Sequence, residues 1–168
     1  MRKLIAIAAA GAALATAPAY AADTETATAS VEILPTITLT KASDLDFGTI
    51  AVNGAGSATI AASVGASASC SANLVCPGSG SAVASFNAAG TDGVAFTASV
   101  DESSIDLVGQ TDASESLELD NFTVGYDATK GQTLDGDTPV YVGATLNFNG
   151  GESAQVYSGD FNVTAEYQ

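Results

Sequence analysis

Along most of this chain, apolar and polar residues alternate one by one. Ala27, Ala29, Val31 and Ile33 alternate with Thr26, Thr28, Ser30 and Glu32. Ile37 and Leu39 alternate with Thr36, Thr38 and Thr40. The same pattern returns in Val94, Phe96, Ala98 and Val100, in Val140, Val142, Ala144, Leu146 and Phe148, and in Phe161, Val163, Ala165 and Tyr167. A period of two, rich in Val, Thr and aromatic residues, marks strands with one buried and one wet face. Between the runs stand Asn53-Gly54-Ala55-Gly56, Pro77-Gly78-Ser79-Gly80, Gly90-Thr91-Asp92-Gly93, Asp135-Gly136-Asp137 and Asn149-Gly150-Gly151. Gly and Asn accept the positive φ that tight turns demand. The pattern predicts strands near residues 26–34, 36–40, 45–52, 57–62, 82–87, 94–100, 104–108, 116–126, 139–148 and 155–167, the last bent at Gly159. Many short strands at such intervals, with no helical stripe after residue 21, predict an all-β fold, an immunoglobulin-like β-sandwich. Residues 54–82, rich in Ala, Ser and Gly, read as a thin strand pair or as a long loop held by a disulfide.

The first segment has a different pattern. Arg2 and Lys3 precede an apolar run over residues 4–17, and Ala19-Tyr20-Ala21 then offers the small-x-small cleavage site of a secretory signal peptide. The run is shorter than the ~20 residues of a bilayer span. The expected organisation is a signal peptide over residues 1–21, an N-terminal extension over 22–34 and one domain over 35–168, with no membrane insertion after cleavage.

Charge sharpens this picture. The chain has 168 residues, 4 Lys+Arg, 19 Asp+Glu and no His or Trp. Beyond residue 21 only Lys41 and Lys130 remain basic, so the formal charge falls from -15 to -17. Such a surface argues against nucleic acid and anionic membranes as partners. Without His there is no imidazole base or ligand. Cys70 and Cys76 are too few to complete a four-ligand zinc site and are not spaced C-x-x-C. In an oxidising compartment they are expected to form a local disulfide.

Catalytic patterns do not assemble. Asp44/Asp46, Asp101/Glu102 and Asp135/Asp137 are paired carboxylates, but each pair sits at a turn or strand edge, as a solvated acidic surface would. Asp135-Gly136-Asp137 lacks the EF-hand pattern. No G-x-S-x-G stretch exists, Asp46-Phe47-Gly48 lacks a kinase context, and Gly54-x-Gly56 lacks the third glycine of a dinucleotide fingerprint. The reading is therefore non-enzymatic, with no cofactor and no metal site.

The two ends carry the remaining signal. An extended alternating segment at an N-terminus can add as a strand to a neighbour's open sheet edge. The competing reading makes residues 26–34 an ordinary first strand of the domain's own sheet.

Four stretches resemble one family. Leu45-Asp46-Phe47-Gly48-Thr49-Ile50, Ala84-Ser85-Phe86-Asn87 running on to Phe96, Val142-Gly143-Ala144-Thr145-Leu146, and Tyr157-Ser158-Gly159-Asp160-Phe161-Asn162-Val163-Thr164-Ala165-Glu166-Tyr167 resemble, in order, motifs of the secreted bacterial domain-of-unknown-function family 4402. That family is distantly similar to spore-coat-U-like and chaperone–usher fimbrial subunits. The resemblance implies a pilin-like sandwich lacking one strand, supplied first by a periplasmic chaperone and then by the next subunit. It implies self-association by strand addition, an usher, and a final location on the cell surface in a fimbrium. Ala27, Ala29, Val31 and Ile33 are then the donor strand. Phe161, Val163, Ala165 and Tyr167 border the groove as the chaperone and assembly strand. The alternative is a monomeric exported β-sandwich module that binds protein, carbohydrate or calcium.

Overall fold

The computed structural model describes residues 23–77 and 80–168. The chain divides between Glu32 and Ile33. Residues 23–32 have no regular secondary structure. The predicted strand over 26–34 does not form: extended backbone becomes a strand only when a second strand takes up its N–H and C=O groups.

The body, Ile33–Gln168, is all-β among its described residues. Its strands are β1 (Thr38–Ser43), β2 (Ala51–Val52), β3 (Gly56–Ile60), β4 (Ser69–Cys70), β5 (Leu74–Val75), β6 (Ala84–Ala89), β7 (Phe96–Val100), β8 (Ser104–Gly109), β9 (Ser116–Tyr126), β10 (Thr138–Phe148), β11 (Tyr157–Ser158) and β12 (Val163–Tyr167). The main antiparallel sheet runs β1-β6-β10-β9-β8-β11. Its centre is β10, the longest continuous apolar alternation. β9 covers one edge of β10. The other edge is shared, with Thr138–Val142 pairing β6 and Ala144–Phe148 pairing β3.

One face of this sheet carries two cores. At one end Ala88, Val124, Tyr126 and Val140 meet Phe96, Ala98, Ala165 and Tyr167 from a separate two-stranded β7–β12 sheet. At the other end Leu117, Leu119, Leu146 and Phe148 pack with Phe47 and Leu74, where β2 and β5 form a second small pair. Layers on a shared apolar face give the sandwich-like arrangement that alternation predicts.

A bulge links the two cores. Gly143 pairs with Thr123 and Thr145 with Asp120, so Asn121 and Phe122 together oppose Ala144. Asn121 adopts a left-handed φ of 50°. The extra residue flips the inward parity of β9. Odd-numbered Leu117 and Leu119 face the core before it, and even-numbered Val124 and Tyr126 after it.

Two other predicted strands are corrected. Residues 45–52 yield only β2 and a single bridge, Asp46 to Ala82. Asp46 turns the chain instead, its carboxylate accepting the Gly48 amide at 2.7 Å while Gly48 takes φ 70°. Residues 155–167 split at Gly159 into β11, paired with β8, and β12, paired with β7. Residues 54–82 resolve into β3, β4 and β5, the thin strand pairing rather than the long loop.

Candidate functional site

The β7–β12 pair has two outer edges, treated in opposite ways. Gln168 N–H donates to Ala95 O, and Asp101 N–H donates to Asn162 O. Antiparallel pairs alternate, so residues 162, 164, 166 and 168 turn their backbone groups toward β7. Val163, Ala165 and Tyr167 turn theirs outward. Among the described residues β12 pairs only with β7, so this outward row has no ladder partner. All three side chains are half-buried, and Ala165 and Tyr167 pack on the core they share with Ile37 and Leu39, at and beside edge strand β1.

The outer edge of β7 is covered instead. Phe96 N–H donates to Gln132 O and Leu134 N–H to Val94 O. Ala98 N–H donates to the Tyr126 hydroxyl at 2.8 Å, and that hydroxyl reaches Ala98 O at 3.4 Å. The Tyr126 ring stands edge-on to Phe96, centroids 5.6 Å apart at 86°.

β12 is held in place at its N-terminal end. The Glu102 carboxylate accepts Asn162 N at 2.9 Å and Asn162 Nδ2 at 2.7 Å, and Thr164 Oγ1 donates to Asp101 at 2.7 Å. The Asn162 amide, aided by its side chain, holds the Glu102 carboxyl below the usual range. Phe161 lies outside β12 and packs on Phe122, centroids 5.2 Å apart. The structure thus brings Val163, Ala165 and Tyr167 together on one strand and leaves Phe161 as its anchor.

The donor candidates lie elsewhere. Ala27, Ala29, Val31 and Ile33 are exposed and outside any strand, Val31 at 86% and Ile33 at 88%. Large aliphatic side chains at that exposure, two residues apart, present an apolar stripe to water.

A second feature is a cleft of about 580 Å³ over the Leu146/Phe148 end of the sheet. Residues 45–52 form one wall and residues 152–157 the other. Glu115 fastens the second wall. Its carboxylate accepts Ser153 N at 3.0 Å, Ser153 Oγ at 2.7 Å, Gln155 Nε2 at 3.1 Å and the Tyr157 hydroxyl at 2.8 Å. The Ser153 and Tyr157 hydroxyls lower its pKa to about 2. Burial, with Glu115 beside it, raises that of Tyr157. Gln155 Oε1 also accepts the Thr111 and Asp112 amides, both at 2.8 Å. Such a network orients a loop.

Cys70 and Cys76 form a disulfide, with Cα atoms 5.9 Å apart, that ties β4 to the residue after β5. Of the paired carboxylates, Asp101 and Glu102 are occupied by β12. At the Asp135/Asp137 turn the backbone carbonyls accept Lys130 Nζ. Among the described residues no three His, Cys, Asp or Glu side chains gather as a metal site would require. Alternation does not single out Tyr126 or the cleft: the first depends on the bulge, the second on residues about a hundred positions apart.

These features define an all-β protein in which, among the described residues, β12 presents an unpaired outer edge. The chain belongs to the family described as Domain of unknown function (DUF4402), whose model matches residues 37–167. Neither the curated proteins nor the solved structures yielded a match.

Proposed function

We propose that the chain is a non-enzymatic structural subunit of a bacterial surface fibre or coat, assembled by strand addition. The observation that carries this reading is the outward row of Val163, Ala165 and Tyr167 on β12. It is an unpaired edge beside a half-covered core. Such an edge is an aggregation hazard unless something pairs it. The same chain carries a pairing segment: residues 22–34 alternate, and Val31 and Ile33 are exposed. One copy's segment laid along the next copy's β12 satisfies the outward backbone groups and covers Ile37 and Leu39. Main-chain bonds supply affinity, and alternate side chains supply register. A periplasmic chaperone would guard the same edge before assembly, and an usher would order the exchange after the signal peptide is removed.

Deleting residues 22–34 tests this. The truncated protein should stay folded, bind a chaperone at β12 and form no SDS-resistant multimers, while the full chain forms them. A full chain that remains a monomer at all concentrations would sink the reading.

The 580 Å³ cleft favours one alternative, an exported monomeric binding module. Its size suits a small ligand, with apolar walls and a few polar groups. Saturable ligand binding by a permanently monomeric protein would support that reading.

A further inference from the structure

We infer that Tyr126 is an edge guard: its hydroxyl occupies the position an incoming strand would take on β7, so strand addition is confined to β12. The inference rests on the strand-addition reading above and goes beyond it, because it assigns direction to the assembly.

A two-stranded ribbon has two edges, and each exposes the backbone groups of alternate residues. On β12 the outward residues are Val163, Ala165 and Tyr167. On β7 they are Phe96, Ala98 and Val100. Symmetric edges would accept two strands, and subunits with two acceptors would branch or sheet together. The β7 edge is closed residue by residue. The Phe96 amide is taken by Gln132 O. Both outward groups of Ala98 are taken by one atom, the Tyr126 oxygen, at 2.8 and 3.4 Å. A hydroxyl suits this role because it donates and accepts at once. Val100 remains open, beside a hollow of about 400 Å³ lined by Ala98, Glu102, Asn121, Phe122 and Val124. The hollow adjoins the position at Ala98 that the Tyr126 hydroxyl seals.

The position of the hydroxyl is specified by structure on both sides. The Asn121 bulge turns Tyr126 toward β7. The edge-on contact with Phe96, itself fully buried, fixes the ring. Tyr126→Phe keeps that ring and removes only the guard.

The test uses the full chain as exported, labelled with ¹⁵N, together with a synthetic peptide of the sequence of residues 24–34. In the wild type the peptide should perturb the amides of Val163, Ala165 and Tyr167 and leave Ala98 and Val100 unchanged. In Tyr126→Phe the Ala98 amide should exchange about tenfold faster, as expected for loss of one hydrogen bond. The peptide should then perturb Ala98 and Val100 as well, with two molecules bound instead of one. Perturbation of Ala98 by peptide in the wild type would overturn the inference. So would a variant whose Ala98 exchange is unchanged, or one that gains no second peptide. If the wild type binds no peptide at β12 but the variant binds one at β7, the guard stands and the strand-addition reading at β12 falls.

Discussion

The Tyr167 hydroxyl accepts the backbone amide of Thr91 at 2.9 Å, joining the last strand to the turn between β6 and β7 across 76 residues of sequence. Gly90 makes this approach possible. A Cβ there would stand 2.5 Å from the Tyr167 oxygen and 2.8 Å from Leu134 Cδ1.

Tyr167→Phe should therefore cost about 1 kcal/mol, the usual net loss of one hydrogen bond. Gly90→Ala should cost about 1–3 kcal/mol through overpacking. Urea unfolding of both single variants and the double variant checks this. The two effects should be less than additive, because they disturb one contact.

Gly125 and Gly143 should be the least tolerant positions of the main sheet. The chain leaving β3 crosses their face, and a Cβ on Gly125 would fall on the Ala62 carbonyl oxygen, one on Gly143 on that of Ile60. Backbone cannot yield as a flexible side chain does. Each Ala substitution should destabilise by about 3 kcal/mol or more. A thermal melt unchanged in either variant would contradict this packing.

Asn121 should tolerate Gly and resist Val. The left-handed conformation costs a side chain with Cβ roughly 1–2 kcal/mol, least for Asn and Gly. Asn121→Val should lower the melting temperature, and by displacing the bulge it should also speed exchange of the Ala98 amide. Asn121→Gly should do neither.

Acid should loosen the wall of the cleft. Glu115 has a folded pKa of about 2 against 4.5 for the ordinary side chain. A depressed carboxyl contributes stability that is complete above the higher value and disappears as pH falls through the lower one. Unfolding free energy should thus decline between about pH 4.5 and pH 2. The lowered carboxyls of Glu102, Asp112, Asp127 and Glu152 act in the same direction. Glu115→Gln should be less stable than the wild type at pH 7, and the gap should close toward pH 2. A gap independent of pH would show that the Glu115 charge plays no part.

The extents of the two longest strands were legible in the sequence. Residues 116–126 are β9 to the residue, and β10 begins one residue before its predicted start. Legibility failed where a single backbone event intervened. Alternation runs through residues 155–167, yet Gly159 passes so close to Asp106 O that a Cβ would lie 2.8 Å from it, and the strand breaks there into two sheets. At residues 45–52 the Asp46 side chain competes for the Gly48 amide. β4 and β5, two residues each, are too short to show a period. Within the candidate site, the inward face of β12 was visible as Val163, Ala165 and Tyr167. Tyr126 was not, because the bulge at Asn121 reverses the parity by which its direction would be read.

β10 also sets a clock. Its residues are the shared partner of β3, β6 and β9, and β1 joins the sheet only through β6. During synthesis, β3, β6 and β9 lack the strand against which they register in the main sheet until Thr138–Phe148 has been made. The main sheet can close only after residue 148 has emerged, and β12 can dock on β7 only after that. Such long-range pairing delays folding. For the export proposed above, the same delay would keep the chain unfolded until nearly all of it had crossed.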